Sequence, residues 1–409
     1  MGISIGLVGL GNFGRAFADL FKRHPLVSRV ALCDREPDRV KRFAEREDWK
    51  DKFNPRDAYA TLDEICESNL DALVIITQPW LHAPQCIQAM ESGKHVYSAV
   101  PLIMLPDADE ILDWCDKLVE TCRRTGLHYM LGETTYYHAE AMFCRRKARE
   151  GAFGDFIYAE GEYFHDVDSS TNLRGVQASR ENSASGREWV ERKKEYIERG
   201  ALSGPMHYPT HSVSGPVCVM KAHALKATAY GYRNRNGDPF FADSAFSNET
   251  ALFEMSNGAT VRICEFREVA GSIAASETFR ILGTRGSYME HQWKENFRNG
   301  PDPSEPLGNT AKPARTTRLT PEEMRDPLPP EVEKAWYDTS RESVAYGGHG
   351  GSHAYLVHEF VDAIANGRWP AIHVWEAVRY MAMGVAAHKS ALKDGERLPV
   401  PDWGDPPEK

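Results

Sequence analysis

The chain has 409 residues, and its 49 basic and 59 acidic side chains leave a net charge of -10 at pH 7. This length is typical of two domains, and a content of 42% hydrophobic and 26% charged residues excludes a disordered or fibrous protein. The negative charge, with no dense Lys/Arg stripe, disfavours nucleic acid as a partner. We therefore expect a globular protein that binds neither nucleic acid nor membrane.

From the start to about residue 130, short apolar runs alternate with amphipathic segments. The strand candidates are ISIGLV, SRVALCD, DALVIIT, HVYSAV and HYMLGE. This βαβ rhythm predicts an α/β fold whose N-terminal part is a Rossmann domain, a doubly wound parallel sheet over residues 1–132.

After Glu150 the pattern changes to longer alternating runs: FIYAEGEYFHD, LKATAYGYR, TALFEMS, TVRICEFRE and ETFRILGT. They predict a C-terminal α+β domain over residues 133–409 with an open, mostly antiparallel sheet. The irregular stretch from His291 to Tyr346 is expected to be functional or to build an oligomer. Two helices end the chain and can pack back on the Rossmann domain. Apolar residues on both faces of the sheet predict a homodimer or homotetramer.

The cysteines predict no disulfide framework. The sequence contains no Cys-x-x-Cys pair, so we expect the cysteines to be reduced and mostly buried, and we predict no metal site. They are Cys33, Cys66, Cys86, Cys115, Cys122, Cys144, Cys218 and Cys264.

The chain enters the strand at Ile3 without a basic segment or cleavage site before it, so a cytoplasmic location is expected, with a secreted form cut from a longer precursor as the alternative.

A dinucleotide-binding pattern follows the first strand. Gly9-Leu10-Gly11-Asn12-Phe13-Gly14 is a G-x-G-x-x-G turn that opens a helix, and Asp34 ends the second strand twenty residues later. Glycines let the backbone approach a pyrophosphate, and the acidic side chain accepts hydrogen bonds from ribose. An acid at this place favours NAD over NADP. Arg35 leaves two interpretations open: it binds a 2′-phosphate, or it flanks the adenine or is solvated.

The stretch GKHVYSAVPL, residues 93–102, offers no proton-handling lysine, because Val100 stands before Pro101. A dehydrogenase of a secondary alcohol needs a base near the hydroxyl, so the search moves to Gly204–His211, which contains His207, Tyr208 and His211. An imidazole suits proton transfer near neutral pH. The alternative interpretation of these histidines is a hydrogen-bonded core.

The chain resembles the Gfo/Idh/MocA oxidoreductase family. The resemblance rests on GLGNFG, on the T-x-P-x-x-H pattern of Thr77-Gln78-Pro79-Trp80-Leu81-His82, and on the GKHV run before Pro101. Most of that family carry Glu-Lys-Pro where this chain has Ala99-Val100-Pro101, so their lysine-assisted oxidation is not carried over.

A lysine-free branch, the NAD-dependent glycosidases of the glycoside hydrolase family 109 type, is more similar. Tyr208-Pro209-Thr210-His211, Glu133, Tyr163 and the turn GGHGGSH at Gly347–His353 match its motifs in order. Ala99 replaces a glutamate usual even in this branch, His207 replaces another residue in many relatives, and Ser352-His353 replaces Met-Asp. These departures bear on the substrate more than on the fold.

The resemblance implies a set of site residues. The implied catalytic residues are His211, Tyr163, Tyr208 and Glu133, and the substrate site adds His165, His207 and His349. The implied NAD site consists of Gly9, Gly11, Asn12, Phe13, Gly14, Asp34, Arg35, Thr77, Gln78, Pro79, Trp80, His82, Ala99, Val100, Pro101 and Glu133.

The same resemblance implies a redox-neutral reaction with tightly bound, recycled NAD. Oxidation of C3 of a sugar acidifies the C2 proton, the C1 substituent is eliminated, water adds, and C3 is reduced again. Two alternatives remain: an NAD-dependent sugar or cyclitol dehydrogenase that uses His211 as base, and a non-catalytic NAD-binding sensor.

Overall fold

The computed structural model describes residues 2–168, 173–270, 277–295 and 315–408. Its first part alternates strands with helices. These elements are β1 (Ile3–Val8), α1 (Asn12–Arg23), β2 (Val27–Cys33), α2 (Pro37–Ala44), β3 (Ala58–Tyr59), α3 (Leu62–Cys66), β4 (Ala72–Ile75), α4 (His82–Glu91), β5 (His95–Ser98), α5 (Ala108–Thr125) and β6 (Tyr129–Leu131).

The strands of this part form one parallel sheet in the order β3-β2-β1-β4-β5-β6. All four side chains of β4 are buried, as expected for a strand covered by helices on both faces. The strand order reverses direction between β1 and β4. Ligands of open α/β sheets bind outside the carboxyl ends of the strands at such a switch point, so the predicted Rossmann sheet is confirmed and its ligand edge is located.

The second part contains the remaining elements. They are α6 (Ala139–Arg149), β7 (Phe156–Phe164), α7 (Leu173–Glu181), α8 (Ala184–Glu198), α9 (Thr210–Met220), β8 (Ala224–Tyr232), β9 (Asn248–Met255), β10 (Thr260–Phe266), β11 (Glu277–Gly283), β12 (Gly286–Met289), β13 (Gln292–Glu295), β14 (Arg315–Arg318), α10 (Pro321–Met324), α11 (Pro330–Trp336), β15 (Tyr337–Asp338), β16 (Ser343–Val344), α12 (Ser352–Ala365), α13 (Val374–Leu392) and β17 (Leu398–Pro399).

The larger sheet of this part is open and mostly antiparallel, as predicted. Its order is β14-β13-β12-β11-β7-β10-β9-β8-β17. Within the described strands of this larger sheet, only the β7–β10 pair is parallel. In the central strand, Tyr163 is level with Glu265 of β10 and with Glu277 of β11. Because residues that are level in register share a face of the sheet, the pairing places these three side chains side by side.

The two faces of the large sheet differ in character. Helices α9 and α13 pack against the inner face, which contains Tyr163. The outer face exposes Leu252 of β9 (48%) and Tyr230 of β8 (63%). An ion-pair network lies beside them on strands β10, β7 and β11, where Glu160 binds Arg262 and Arg280. The outer face is therefore mixed rather than purely apolar, and the homo-oligomer built on it remains a prediction.

Some features were absent from the sequence-based prediction or differ from it. Residues 173–198 form the two helices α7 and α8, for which no element was predicted. Of the irregular stretch 291–346, residues 296–314 lie outside the described residues, and the rest contains short strands and helices. Helix α12 contacts α1 and α13 contacts α5. The division at residue 132 remains a prediction.

All eight cysteines are free and buried. Within the described part of the chain, no helix combines the length and the apolar character needed to cross a bilayer.

Candidate active site

The glycine turn after β1 needs its glycines for steric reasons. Gly9 has a φ of +90°, and a Cβ there would lie 2.2 Å from the carbonyl oxygen of Ile76. A Cβ on Gly14 would lie 2.0 Å from the carbonyl oxygen of Gly9, whereas Gly11 faces open space with only Arg39 Nη1 at 3.9 Å. The amino end of α1 is thus open to a close approach by a ligand, which suits a pyrophosphate. The exposed Asn12 side chain accepts a hydrogen bond from Arg15.

Asp34 lies beside this turn at the end of β2. Its buried carboxylate accepts hydrogen bonds from the backbone N–H groups of Leu10 (2.7 Å) and Glu36 (2.8 Å). The neighbouring Arg35 forms a two-pronged ion pair with Glu188 of α8, with N···O distances of 3.0 and 2.8 Å. An arginine engaged in this way is not free to bind a 2′-phosphate, so the residues present fit NAD.

The T-x-P-x-x-H loop lies between β4 and α4. Thr77 donates to Gln85 at 2.5 Å, and Gln78 and Pro79 offer backbone carbonyls to Leu81 and Met104. Trp80 stacks on Trp189 of α8, with ring centroids 4.9 Å apart and planes 9° apart. Helix α8 therefore covers this loop from the side of the second domain.

His82, the last residue of that loop, is buried and neutral. Its Nδ1–H donates to the carbonyl of Pro101 at 2.7 Å, and burial lowers the pKa of its imidazole to about 4. Its Nε2 is buried without a protein partner, which leaves an acceptor at this edge of the sheet.

The segment that replaces the family's lysine is apolar. Ala99 is buried, and its N–H donates to Ile75. Val100 is half-buried and joined to Pro101 by a cis peptide bond. Neither residue can accept a proton, so they supply a wall and not a base.

His211 reaches the inner face of the large sheet because α9 approaches β7 very closely. A Cβ on Gly161 of β7 would lie 1.8 Å from the carbonyl oxygen of Ser212, the residue after His211. Helix α9 begins at Thr210, and Pro209 is its N-cap. The missing side chain at Gly161 thus brings the imidazole over the strand that contains Tyr163, and the two ring centroids are 4.8 Å apart.

Two carboxylates face the imidazole of His211. Its Nδ1–H donates to Glu133 Oε1 at 2.9 Å, and Glu277 Oε2 lies 4.0 Å from the same nitrogen. Nε2 and the hydroxyl of Tyr208 form a hydrogen bond of 3.1 Å. Burial opposes a charge on His211, but Glu133 and Glu277 overcome it and raise the pKa of the imidazole well above its ordinary value.

Glu133 has a second oxygen, Oε2, that is buried without a protein partner. Glu277 also accepts from Thr135 and lies 3.3 Å from His138 Nε2. Burial opposes the ionised form of Glu277, but the charges of His211 and His138 lower its pKa. Glu277 is therefore an ionised partner of the His211 imidazolium.

Tyr163 and His165 form a second pair. The Tyr163 hydroxyl donates to His165 Nδ1 at 2.5 Å. Burial, with the charges of Arg267 and His211, lowers the pKa of His165 to about 4, so its imidazole is neutral near pH 7. Burial raises the pKa of the Tyr163 phenol well above its usual range. The Arg267 guanidinium lies 4.7 Å from the Tyr163 ring centroid and is paired with Glu265 at 2.8 Å.

The remaining predicted histidines have different surroundings. His207 is fully buried, with Nδ1 bonded to the carbonyl of Leu105 at 2.9 Å and its ring 4.3 Å from that of His388. These are core contacts, and the role of His207 in substrate binding stays a prediction. His349 lies in the glycine turn near residue 350, bonds to His353 at 2.9 Å and packs on Phe13 of the cofactor turn. It therefore stands between the predicted cofactor and catalytic residues.

Several site residues escaped the sequence analysis. They are His138, Glu265, Arg267 and Glu277 around His211 and Tyr163, and Trp189 against the loop after β4. No local motif marks them, since strand register and the docking of α8 bring them to the site.

Comparison with known proteins agrees with this geometry. Residues 3–133 match the Gfo/Idh/MocA family described as "Oxidoreductase family, NAD-binding Rossmann fold", and residues 130–400 match its "C-terminal alpha/beta domain". A glycosyl hydrolase family 109 protein of Streptomyces niveus is 26% identical over 426 positions, covering 98% of this chain and 77% of that protein. A second such protein, from Bacteroides fragilis, is 33% identical over 228 positions, covering 54% of this chain and 49% of that protein.

Solved structures share the fold. A scyllo-inositol dehydrogenase from Lactobacillus casei with bound NAD(H) and scyllo-inositol has a TM-score of 0.62 at 15% identity, with 98% of this chain and 99% of that chain covered. A levoglucosan dehydrogenase in complex with NADH and levoglucosan has a TM-score of 0.67 at 18% identity, with coverage of 98% and 100%. With family matches that together span nearly the whole sequence, the chain belongs to the Gfo/Idh/MocA oxidoreductase family, and its first domain is an NAD-binding Rossmann domain.

Proposed function

We propose that the protein is a glycoside hydrolase that needs NAD but regenerates it in every turnover. The observation that carries this proposal is the presence of two proton-handling pairs at one site, His211 with Glu133 and Tyr163 with His165. Oxidation of an alcohol requires one base. Elimination beside the resulting ketone requires a second, at a different atom of the sugar. Relatives named glycosyl hydrolase family 109 proteins, matched over 98% of this chain, support the same conclusion.

NAD fits the first domain through the open turn at Gly11 and the carboxylate of Asp34. When bound, NAD accepts a hydride from C3 of the sugar and returns it at the end of the cycle. Ala99 and Val100 would form an apolar wall beside the reacting carbon. The orphaned Nε2 of His82 and Oε2 of Glu133 remain to accept hydrogen bonds at this edge.

His211 takes the proton of the 3-hydroxyl at Nε2. Glu133 holds its Nδ1–H, which fixes the orientation of the ring and stabilises the imidazolium that forms. The same proton returns to the oxygen when C3 is reduced again. The raised pKa of His211 makes it a strong base but keeps it protonated near neutral pH, so the oxidation step should quicken as the pH rises.

Tyr163 and His165 take the C2 proton, which the C3 ketone makes acidic. The phenol passes its own proton to Nδ1 of the neutral His165 while its oxygen receives the proton from C2. Arg267 lies over the ring and favours the phenolate character that the oxygen gains while its proton moves to His165. The electron pair of the C2–H bond forms the C1–C2 double bond as the C1–O bond breaks.

Tyr208 completes the exchange of protons. Its hydroxyl, hydrogen-bonded to His211, protonates the departing oxygen. Water then adds to C1, and its proton restores Tyr208 while the proton held by Tyr163 and His165 returns to C2. The sum of these steps is hydrolysis without net oxidation.

The test is a panel of α- and β-4-nitrophenyl glycosides, assayed with and without added NAD while nitrophenol and NADH are both followed. We expect release of nitrophenol without accumulation of NADH. Tyr163→Phe should lower the rate by about 10²–10⁴-fold. Tyr158→Phe is the matched control, because Tyr158 is on the same strand but bonds to Glu160 on the outer face.

A second candidate function is a sugar or cyclitol dehydrogenase with net NADH production. The His211–Glu133 pair by itself suffices for an alcohol oxidation, which is the observation in its favour. Stoichiometric NADH from a free sugar, with full activity retained in Tyr163→Phe, would replace the glycosidase proposal with this one.

A further inference from the structure

Helices α7 and α8 form a hairpin of the second domain that docks on the Rossmann domain. Trp189 of α8 stacks on Trp80, in the loop after β4, with ring centroids 4.9 Å apart. Further along α8, Arg192 and Tyr196 bond to Glu110, in the first turn of α5, at 2.9 and 2.7 Å. Both contacts lie at the carboxyl ends of the parallel strands, where ligands of such sheets bind. Helix α8 is therefore part of the edge at which the cofactor is expected.

Glu188, the neighbour of Trp189 on α8, contacts the end of β2. Its two carboxylate oxygens accept hydrogen bonds from the two terminal nitrogens of Arg35, at 2.8 and 3.0 Å. Arg35 directly follows Asp34, the acidic residue expected to bind the ribose of NAD, and an arginine near that acid is what accommodates the 2′-phosphate of NADP. A guanidinium binds a phosphate through two parallel hydrogen bonds. Glu188 therefore already takes the two-pronged contact that a 2′-phosphate would need.

The Arg35–Glu188 ion pair matters little for the docking of the hairpin. Its side chains are 53% and 64% exposed, and exposed ion pairs contribute little to stability. The docking contacts through Trp80 and Tyr196 involve buried side chains instead. The pair matters for a ligand, because an anion that approaches Arg35 has to displace Glu188 and is repelled by the carboxylates of Asp34 and Glu188 together.

We propose that Glu188 is a specificity residue of the cofactor site: supplied by the second domain, it occupies the guanidinium of Arg35 and so excludes the 2′-phosphate of NADP. Asp34 alone gives a mixed signal, since the guanidinium beside it would attract the phosphate that its carboxylate repels. The other guanidinium at this edge, Arg39, lies 3.4 Å from both oxygens of Asp34 and so also faces a carboxylate. Cofactor preference is a property of this edge and does not depend on whether the sugar is hydrolysed or oxidised.

The experiment measures cofactor binding to the full-length protein rather than turnover. The protein loaded with NADH is titrated with NAD and, separately, with NADP, and the loss of the fluorescence of bound NADH gives the affinity for each competitor. One variant is Glu188→Gln, which keeps the size of the side chain and removes its charge. A second combines Glu188→Gln with Arg35→Leu. The matched control is Glu191→Gln, because Glu191 is on the same helix but pairs within it, with Lys194 at 2.6 Å.

We expect Glu188→Gln to bind NADP about 10-fold more tightly and to bind NAD as before. This gain is at the low end for hydrogen bonds to a charged group, because Arg35 is more than half exposed. The combined variant should lose the gain, since it no longer has the guanidinium, and Glu191→Gln should keep the original preference. Unchanged NADP affinity in Glu188→Gln, an equal gain for NAD and NADP, the same gain in Glu191→Gln, or a gain that persists without Arg35 would each overturn the proposal.

Discussion

Gly161→Ala should displace His211, the proposed base, without touching any ligand. The new Cβ would lie 1.8 Å from the carbonyl oxygen of Ser212, and real Cβ atoms come no closer than 3.0 Å to a neighbour, so α9 and β7 must separate by at least 3.0 − 1.8 = 1.2 Å. Overpacking of this kind costs about 1–3 kcal/mol of stability. A displacement of about 1 Å at a catalytic group costs about 10²-fold in rate.

The assay measures kcat on the best glycoside, the affinity for NAD, and the free energy of unfolding in urea. We expect kcat to fall about 10²-fold while NAD affinity, which belongs to the other domain, stays unchanged. Gly215→Ala is the control: it overpacks α9 against the ring of Phe279 at 2.7 Å, a side chain that can shift, so stability should drop with little loss of rate. Full activity and unchanged stability in Gly161→Ala would refute the idea that this close approach positions His211.

Four further predictions follow from the site and its surroundings. Glu133→Gln removes the nearest carboxylate from His211, one of the charges that raise the pKa of its imidazole. The pKa of His211 should therefore fall, and the rising limb of the pH–rate profile should move to lower pH. An unmoved limb would mean that another group titrates. Asp34→Ala should weaken NAD by about 10- to 100-fold and weaken NADP less, measured by titration of both cofactors, and an unchanged preference would show that the acid is misassigned. Burial lowers the pKa of the His24 imidazole from 6.5 to about 3. Between these two pH values the unfolded chain binds a proton at His24 that the folded chain does not bind. The free energy of unfolding in urea should therefore fall by about 1.4 kcal/mol from this group for each pH unit of acidification. His24→Gln should remove that part of the slope, and an unaltered slope would contradict the assignment. Light scattering should find a particle larger than one 46.0 kDa chain, which Leu252→Lys on the outer sheet face should dissociate; a monomer at micromolar concentration would refute the predicted assembly.

The parts of the site that local sequence encodes could be predicted. A glycine turn, a strand and an acid at fixed spacing define the cofactor edge, because their geometry is set within one βαβ unit. The alternation of apolar and polar residues in the second half of the chain predicted an open sheet. The Tyr-Pro-Thr-His segment predicted that His211 and Tyr208 lie close to each other. Their joint position follows from a spacing of three residues at the start of a helix.

The rest depends on contacts between distant segments, which the sequence alone does not specify. Glu277 reaches His211 only because β11 pairs with β7 in one register. Trp189 reaches the loop after β4 only because the α7–α8 hairpin docks on the Rossmann domain. His207 is adjacent to Tyr208 in sequence, yet its side chain enters the core against His388. Proximity along the chain therefore does not determine which side chains lie together at the site.

The central claim is that a C2 proton is removed and replaced during glycoside cleavage. The most direct measurement is turnover of an aryl glycoside in D₂O with NAD present, with the released sugar analysed by NMR and NADH followed by absorbance. We expect solvent deuterium at C2 of the product and no net NADH. Cleavage with C2 still carrying its original hydrogen, or steady accumulation of NADH, would contradict it.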